Sequence, residues 1–336
     1  TNCMIEFINK IPKAELHLHI EGSLEPELMF ELAKRNNINL PYTSVKEVKE
    51  AYKFGNLQDF LDIYYAGCNV LIHEQDFYDL TIAYFKKAHE QNIIHAEIFF
   101  DPQSHTERGI ALETVVNGIH RAITEAKEKW GITGYLILSF LRHLSEEQAI
   151  ATLEQAFPMK DKFIAVGLDS SELGNPPDKF KNVFAMADEQ GYLKVAHAGE
   201  EGPAQYVWDS LSLLQINRLD HGNRSMEHDK LLAELANLEM GLTLCPLSNL
   251  KLQVVKDLKD HPLKQMLDLG IKVTVNSDDP SYFGGYINEN FIAITEALDL
   301  SKEDIYQLVK NSFEVSFAEE NRKMEMLLAL EDYCQL

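Results

Sequence analysis

ELHLHI, residues 15–20, places His17 and His19 two positions apart in a run whose other members include Leu16, Leu18 and Ile20. Successive side chains along a strand point to opposite faces, so the two histidines share one face. Seven further short apolar runs follow: IIHAEIFF (93–100), GYLILSFL (134–141), FIAVGLD (163–169), KVAHAG (194–199), RLDHG (218–222), GLTLCP (241–246) and KVTVNS (272–277). Several are apolar on both faces, as strands buried in a parallel sheet are.

Amphipathic stretches separate the runs. Phe77, Leu80, Tyr84 and Ala88 recur at helical spacing in 74–90, as do Leu112, Val115, Val116, Ile119 and Ile123 in 112–128. Ser145 with Gln148 reads as a capping box, Pro177 suits a first helical turn, and Gly191 suits the position just past that helix. Eight alternating units predict an α/β fold, a (β/α)8 TIM barrel, with a doubly wound sheet as the rival. The segment 23–92 is too long for one crossover and predicts a helical insertion between strands 1 and 2, over the barrel mouth. The segment from Ser301 onward reads as helix on the outside. No repeat or linker divides the chain, so residues 1–336 are expected to form one domain.

Composition narrows the partners. Of 336 residues, 45% are hydrophobic and 25% charged, the balance of a soluble enzyme, and no run of about 18 apolar residues predicts a membrane span. Residues 1–10, TNCMIEFINK, carry no leader pattern. Cys3, Cys68, Cys245 and Cys334 form no C-x-x-C pair or disulfide framework, which fits a reducing cytoplasm. A net charge of −22 without basic runs argues against nucleic acid and for a small neutral or positive substrate.

A barrel gathers its reactive groups at the C-terminal ends of its strands. His17 and His19 close the first run, His197 lies in the fifth with Glu200 just after, His221 ends the sixth, and Asp278 and Asp279 end the eighth. An unpartnered polar group buried in an apolar setting costs several kcal/mol, about 2–7 by transfer measurements, so such a gathering calls for a ligand. Imidazole and carboxylate together suit Zn²⁺ or another borderline divalent ion, with three His, one Asp and a water as the expected site. Cys245 has no thiolate partner nearby, and the chain lacks the H-x-E with P-C-x-x-C signature of nucleic-acid deaminases. Cys245 therefore reads as a small buried hydrophobe on the seventh strand.

The blocks ELHLHIEGS (15–23), AHAGEEGP (196–203), RLDHGNR (218–224), LTLCPLSN (242–249) and VNSDDPSYF (275–283) resemble, in this order, those of the adenosine/adenine deaminase family of the amidohydrolase superfamily. The resemblance runs from about residue 11 to 320. It implies one zinc ion per chain, with His17, His19, His197 and Asp278 as ligands, and catalytic roles for Glu200, His221 and Asp279. The implied reaction is hydrolytic removal of the amino group from a purine in cytoplasmic purine salvage. In it His221 handles the proton of the attacking water, Asp279 orients that water, and Glu200 protonates the ring nitrogen beside the attacked carbon.

Two blocks depart from the adenosine-cleaving members. Where those carry an Asp that contacts ribose, this chain has Glu21 before Gly22. The loop after strand four reads GLDSSELG (167–174), with Ser170, Ser171 and Glu172 where small residues are usual. These features, with FFDPQSHTERG (99–109), resemble the adenine-specific branch. Glu172 is expected to accept the N–H that only a free base carries on its five-membered ring, or else to face solvent. Glu21, Ser171, Gly199 and Asp279 are expected to line the base as well. Phe54, Leu57 and Phe60 form an amphipathic face that packs either on the base or in an ordinary core. Adenosine, a substituted adenine, or another bond cleaved by an amidohydrolase-type enzyme are the alternatives. No lysine closes strand four to bridge a second metal.

Overall fold

The computed structural model of the protein describes residues 2–335. Its strands are β1 (Lys13–His19), β2 (Ile93–Phe100), β3 (Thr133–Leu141), β4 (Ala165–Asp169), β5 (Leu193–Ala198), β6 (Arg218–His221), β7 (Gly241–Leu244) and β8 (Lys272–Val275). All neighbours are parallel and lie in chain order, without the reversal that marks a doubly wound sheet. The ring closes beyond the regular end of β8. Asp278 N donates to His17 O and His19 N donates to Asp278 O, each at 3.0 Å. The fold is a (β/α)8 barrel, and its seam is made by the residues of interest themselves. Asp278 and Asp279 thus lie three and four residues past β8, where the sequence reading had them ending the strand.

The helix Glu74–Glu90 matches its periodicity, and Leu112–Trp130 runs two residues longer than expected, ending at Gly131 with φ +68°. Ser145 and Gln148 form the capping box. Pro177 opens a 3₁₀ turn leading into Lys181–Glu189, and Gly191 follows with φ +87°. Cys245 is buried one residue past β7.

Three helices, Pro26–Arg35, Val45–Ala51 and Leu57–Gly67, precede Glu74–Glu90 between β1 and β2. Phe54, Leu57, Phe60 and Tyr64 join Tyr282 and Phe283, from the turn after Asp279, in an apolar cluster of their own. This anchors the Leu57–Gly67 helix across the barrel mouth. Inside the barrel Phe99, Ile137, Ala165 and Val195 form a small apolar plug. The Phe99 ring centre lies 4.9 and 4.8 Å from those of His17 and His19, directly under the mouth. The helices Lys302–Glu314 and Glu320–Cys334 pack outside. No helix among the described residues is long and apolar enough to cross a membrane.

Candidate active site and metal centre

Strand alternation brings His17 and His19 from β1, and His197 from β5, to one buried place: His17, His197, His221 and Asp278 offer donor atoms within 4.8 Å of one another, and His19 joins them through His197 and Asp278. Their outer nitrogens are already engaged. His17 Nδ1 lies 2.8 Å from Thr243 Oγ1, which itself donates to Asp220 Oδ1 at 2.9 Å. A hydroxyl that donates to a carboxylate must accept from the imidazole, so His17 carries its proton on Nδ1 and leaves Nε2 bare. His197 Nδ1 lies 3.2 Å from Asp220 Oδ2 and His19 Nδ1 3.4 Å from Asp169 Oδ2; these are close approaches and not formed hydrogen bonds, but the carboxylates favour the proton on Nδ1 by their charge.

Three Nε2 atoms therefore converge on a carboxylate. His19 Nε2 and His197 Nε2 stand 3.1 Å apart, and Asp278 Oδ1 is 3.2 Å from both His17 Nε2 and His19 Nε2. Lone pairs so opposed repel unless a cation lies between them. Donors about 2.0–2.1 Å from a tetrahedral zinc sit roughly 3.3 Å from one another. The donor set thus fits such an ion in type and in spacing. Ser248 Oγ donates to Asp278 Oδ2 at 2.7 Å and fixes the carboxylate. With no ion bound, the surrounding acids Asp279, Asp169 and Asp278 outweigh burial and hold the His19 imidazole well above its usual range, so a proton occupies Nε2 until a cation displaces it.

Beside the cluster, His221 Nε2 is 3.3 Å from Glu200 Oε2 and 3.7 Å from Asp278 Oδ2, and neither His221 nitrogen has a hydrogen-bond partner among the described residues. Burial and the neighbouring His17 push the His221 imidazole well below its usual range, so it is neutral. Burial, with the charges of Asp278 and Glu172, pushes the Glu200 carboxyl well up, so it holds a proton. Burial and Asp278 do the same to Asp279. The arrangement sets a protonated acid, a neutral base and a cation-binding cluster side by side. Their cavity, with about 30 Å³ of free space, is lined by all of these except His17. Leu57, Phe60, Leu61, Tyr64 and Tyr65 cover it from the lid helix, while Phe54 stays in the apolar cluster behind. Gly22 lets Asp279 in: a Cβ there would lie 1.9 Å from Asp279 Oδ1.

The structure places four expected base contacts elsewhere. Glu172, 1% exposed, accepts from the backbone N–H groups of Gly199 (2.7 Å), Glu200 (3.1 Å), Glu201 (2.9 Å) and Gly202 (2.8 Å). It holds a loop and does not line the cavity, because four amides use its acceptor capacity. Glu21 is equally committed: Oε2 accepts from Asp101 N and His105 Nε2, each at 2.8 Å, and Tyr64 O–H points at Oε1 from 3.3 Å. Ser171 donates to Gln58 on the lid helix at 2.7 Å, outside the cavity. Gly199 gives its N–H to Glu172 and is not among the lining residues.

Other residues that line or brace the site were passed over in the sequence. Asp101 and Asp169, at the ends of β2 and β4, line the cavity, and Oδ1 of each has no partner among the described residues. Arg142, fully buried after β3, donates to His197 O at 2.6 Å and to Asn175 O at 3.0 and 3.1 Å. Tyr65 O–H donates to Ser170 Oγ at 2.7 Å. The aspartates could have been found by the strand-end rule that found the histidines. Arg142 binds only carbonyls, which leave no mark on residue type.

Comparison with known proteins gives a consistent result. The adenosine deaminase family model matches residues 12–333. Adenine deaminase of Acinetobacter baylyi is 62% identical over 322 residues, 96% of this chain and 97% of the relative. Adenine deaminase of Hahella chejuensis is 56% identical over 99% of both chains. The crystal structure of adenine deaminase from Arthrobacter aurescens superposes with a TM-score of 0.96 at 47% identity, covering 97% of this chain and all of that one.

Proposed function

This chain belongs to the adenosine deaminase family, and from that premise we propose that it catalyses the hydrolytic deamination of adenine to hypoxanthine and ammonia, residues 1–336 acting as one domain. The observation that carries the reading is the meeting of three imidazoles and the Asp278 carboxylate with the Glu200–His221 pair at the floor of one cavity in the barrel mouth. The relatives named above bear the name adenine deaminase at up to 62% identity. The reaction belongs to purine salvage in the cytoplasm.

We assign one Zn²⁺ per chain to His17, His19, His197 and Asp278; another divalent transition ion suits the same donors. When bound, such an ion lowers the pKa of water from 15.7 to about 7. The protein's own groups do the rest. His221, neutral, takes the proton of the attacking water and later holds positive charge near Asp278. Glu200, protonated, gives its proton to the ring nitrogen next to the carbon that bears the amino group. That step breaks aromaticity and makes the carbon electrophilic. Asp279, beside the ligand Asp278, orients the attacking water. One proton of the water, carried by His221, leaves with the amino group as ammonia, and the other restores Glu200, so water and adenine balance hypoxanthine and ammonia.

Recognition of the free base falls to Asp101, supported by Asp169. Asp101 lines the cavity, and its buried Oδ1, without a partner among the described residues, can take the ring N–H that a nucleoside lacks. Glu21 holds the Asp101 backbone, so its part in specificity is indirect. A site built to pair such a group rejects an analogue without it by roughly 10⁴–10⁵ at best. The test is ammonia release from adenine, 9-methyladenine, adenosine, guanine and cytosine by the zinc-loaded protein. Adenine should lead every other base by at least about 100-fold. Equal turnover of adenosine would move the assignment to an adenosine deaminase.

A further inference from the structure

Glu200 stands on a four-residue turn, Gly199–Gly202, that follows β5 and begins two residues after His197. Turns on a protein surface satisfy their amides with water. This one gives all four consecutive N–H groups to a single buried carboxylate, Glu172, reaching in from the loop after β4. Both ends of the turn are glycine for a local reason. Gly199 has φ +73°, a conformation that side chains disfavour. A Cβ on Gly202 would lie 2.5 Å from Glu172 Oε2, so nothing larger lets the carboxylate in. The carbonyl side is held too: Arg142 Nη1 donates to His197 O at 2.6 Å and Arg224 Nη1 to Glu201 O at 2.6 Å.

We propose that Glu172 is a positioning residue for the proton-transfer step: its carboxylate, gripping the amides of residues 199–202, sets where Glu200 stands against His221 and the substrate ring. The inference rests on the reading of Glu200 as the acid. A carboxylate serves where an amide could not, since both of its oxygens accept and neither donates. Four charge-assisted bonds to one anchor remove the freedom that would let Glu200 swing toward the throat. A catalytic group displaced by about 1 Å typically loses about 10²-fold in rate.

The test is a double-mutant cycle of Glu172→Gln and Glu200→Gln on the zinc-loaded protein, with hydrogen exchange followed over residues 199–202. Alone, Glu172→Gln should lower kcat by about 10- to 100-fold, change KM for adenine by less than about 3-fold, and leave metal content intact. Exchange at residues 199–202 should accelerate in the same variant. In the Glu200→Gln background the second substitution should cost less than about 2-fold, because groups acting through one another do not add. Glu172→Asp keeps the charge and should recover part of kcat; if Glu172→Gln does not fold, this variant carries the cycle. Full additivity of the two losses would overturn the proposal, as would a rise in KM alone or unchanged exchange at 199–202. Near-normal turnover of Glu200→Gln by itself would instead remove the acid assignment, and the exchange readout would still report whether the grip exists.

Discussion

Both ends of the barrel bury charged side chains, and they treat them in opposite ways. At the end where the strands begin, Glu97 and Arg218 are fully buried and paired at 2.7 Å. Glu97 also accepts from His95 Nε2 at 2.7 Å and Phe317 N at 2.8 Å, and Arg218 donates to Val315 O and Leu16 O and stacks on the Phe317 ring at 4.1 Å. Within this group only Arg218 Nε lacks a partner. At the mouth, by contrast, Nε2 faces Nε2, both His221 nitrogens stand alone, and single oxygens of Asp101, Asp169 and Asp279 have no partner among the described residues. His221, Asp278 and Ser170 add positive φ values of +65°, +64° and +82°. Such conformations cost about 1–3 kcal/mol each and collect at functional sites. A fold tolerates unmatched buried groups where a ligand completes them, and matches them where nothing will arrive.

The first way to break this comparison is to remove one mouth ligand. His19→Ala should abolish turnover and most bound metal, while circular dichroism stays that of the parent. Loss of the fold would mean the mouth is structural after all. Glu200→Gln should retain metal and lose about 10²–10⁴-fold in kcat. At the other end the signs reverse. Glu97→Ala leaves Arg218 buried without its counter-charge and should cost about 3–5 kcal/mol of stability, read by urea denaturation, with the specific activity of the folded fraction unchanged. Asp101→Asn is the finest probe: burial and Asp169 push the Asp101 carboxyl well up, so turnover of adenine should fall by about 2- to 13-fold, the worth of one neutral hydrogen bond, and 9-methyladenine should lose far less. Equal losses on both bases would return specificity to the shape of the lid.

Protonation sharpens the contrast without mutation. Burial would raise Glu97, but Arg218 and His95 overcome it and hold the carboxyl down at about 2, against 4.5 for an ordinary glutamate. A folded-state value below the unfolded one means the group adds stability that is complete above about 4.5 and is lost as pH falls toward 2. Parent and Glu97→Gln should therefore differ most in thermal stability near neutrality and converge across that window. A difference that persists unchanged at pH 2 would contradict the pairing.

Much of this was legible before the structure. The strand series was readable because each strand is buried on both sides and so written in apolar residues, and IIHAEIFF coincides with β2 to the residue. His17, His19, His197, His221, Asp278 and Asp279 stood out because imidazoles and carboxylates are anomalous in such runs. Glu172 and Glu21 stood out too, yet their partners could not be read. Both bind main-chain N–H groups, which every residue but proline carries and which mark no position in a sequence. The carboxylate was visible and the geometry around it was not. Asp101 was passed over because it sits inside FFDPQSHTERG, a block valued there for its likeness and not for its strand-end position.

If the mouth is an unbalanced site completed by one divalent ion, thermal unfolding of chelator-stripped protein before and after zinc addition will show it. A ligand present at about 100 times its dissociation constant should stabilise the fold by about 2.7 kcal/mol. The account predicts a rise in Tm that saturates at one zinc per chain, recovery of ammonia release from adenine in step with it, and neither response in His19→Ala. Full activity in the stripped protein, or a Tm indifferent to zinc, would contradict it.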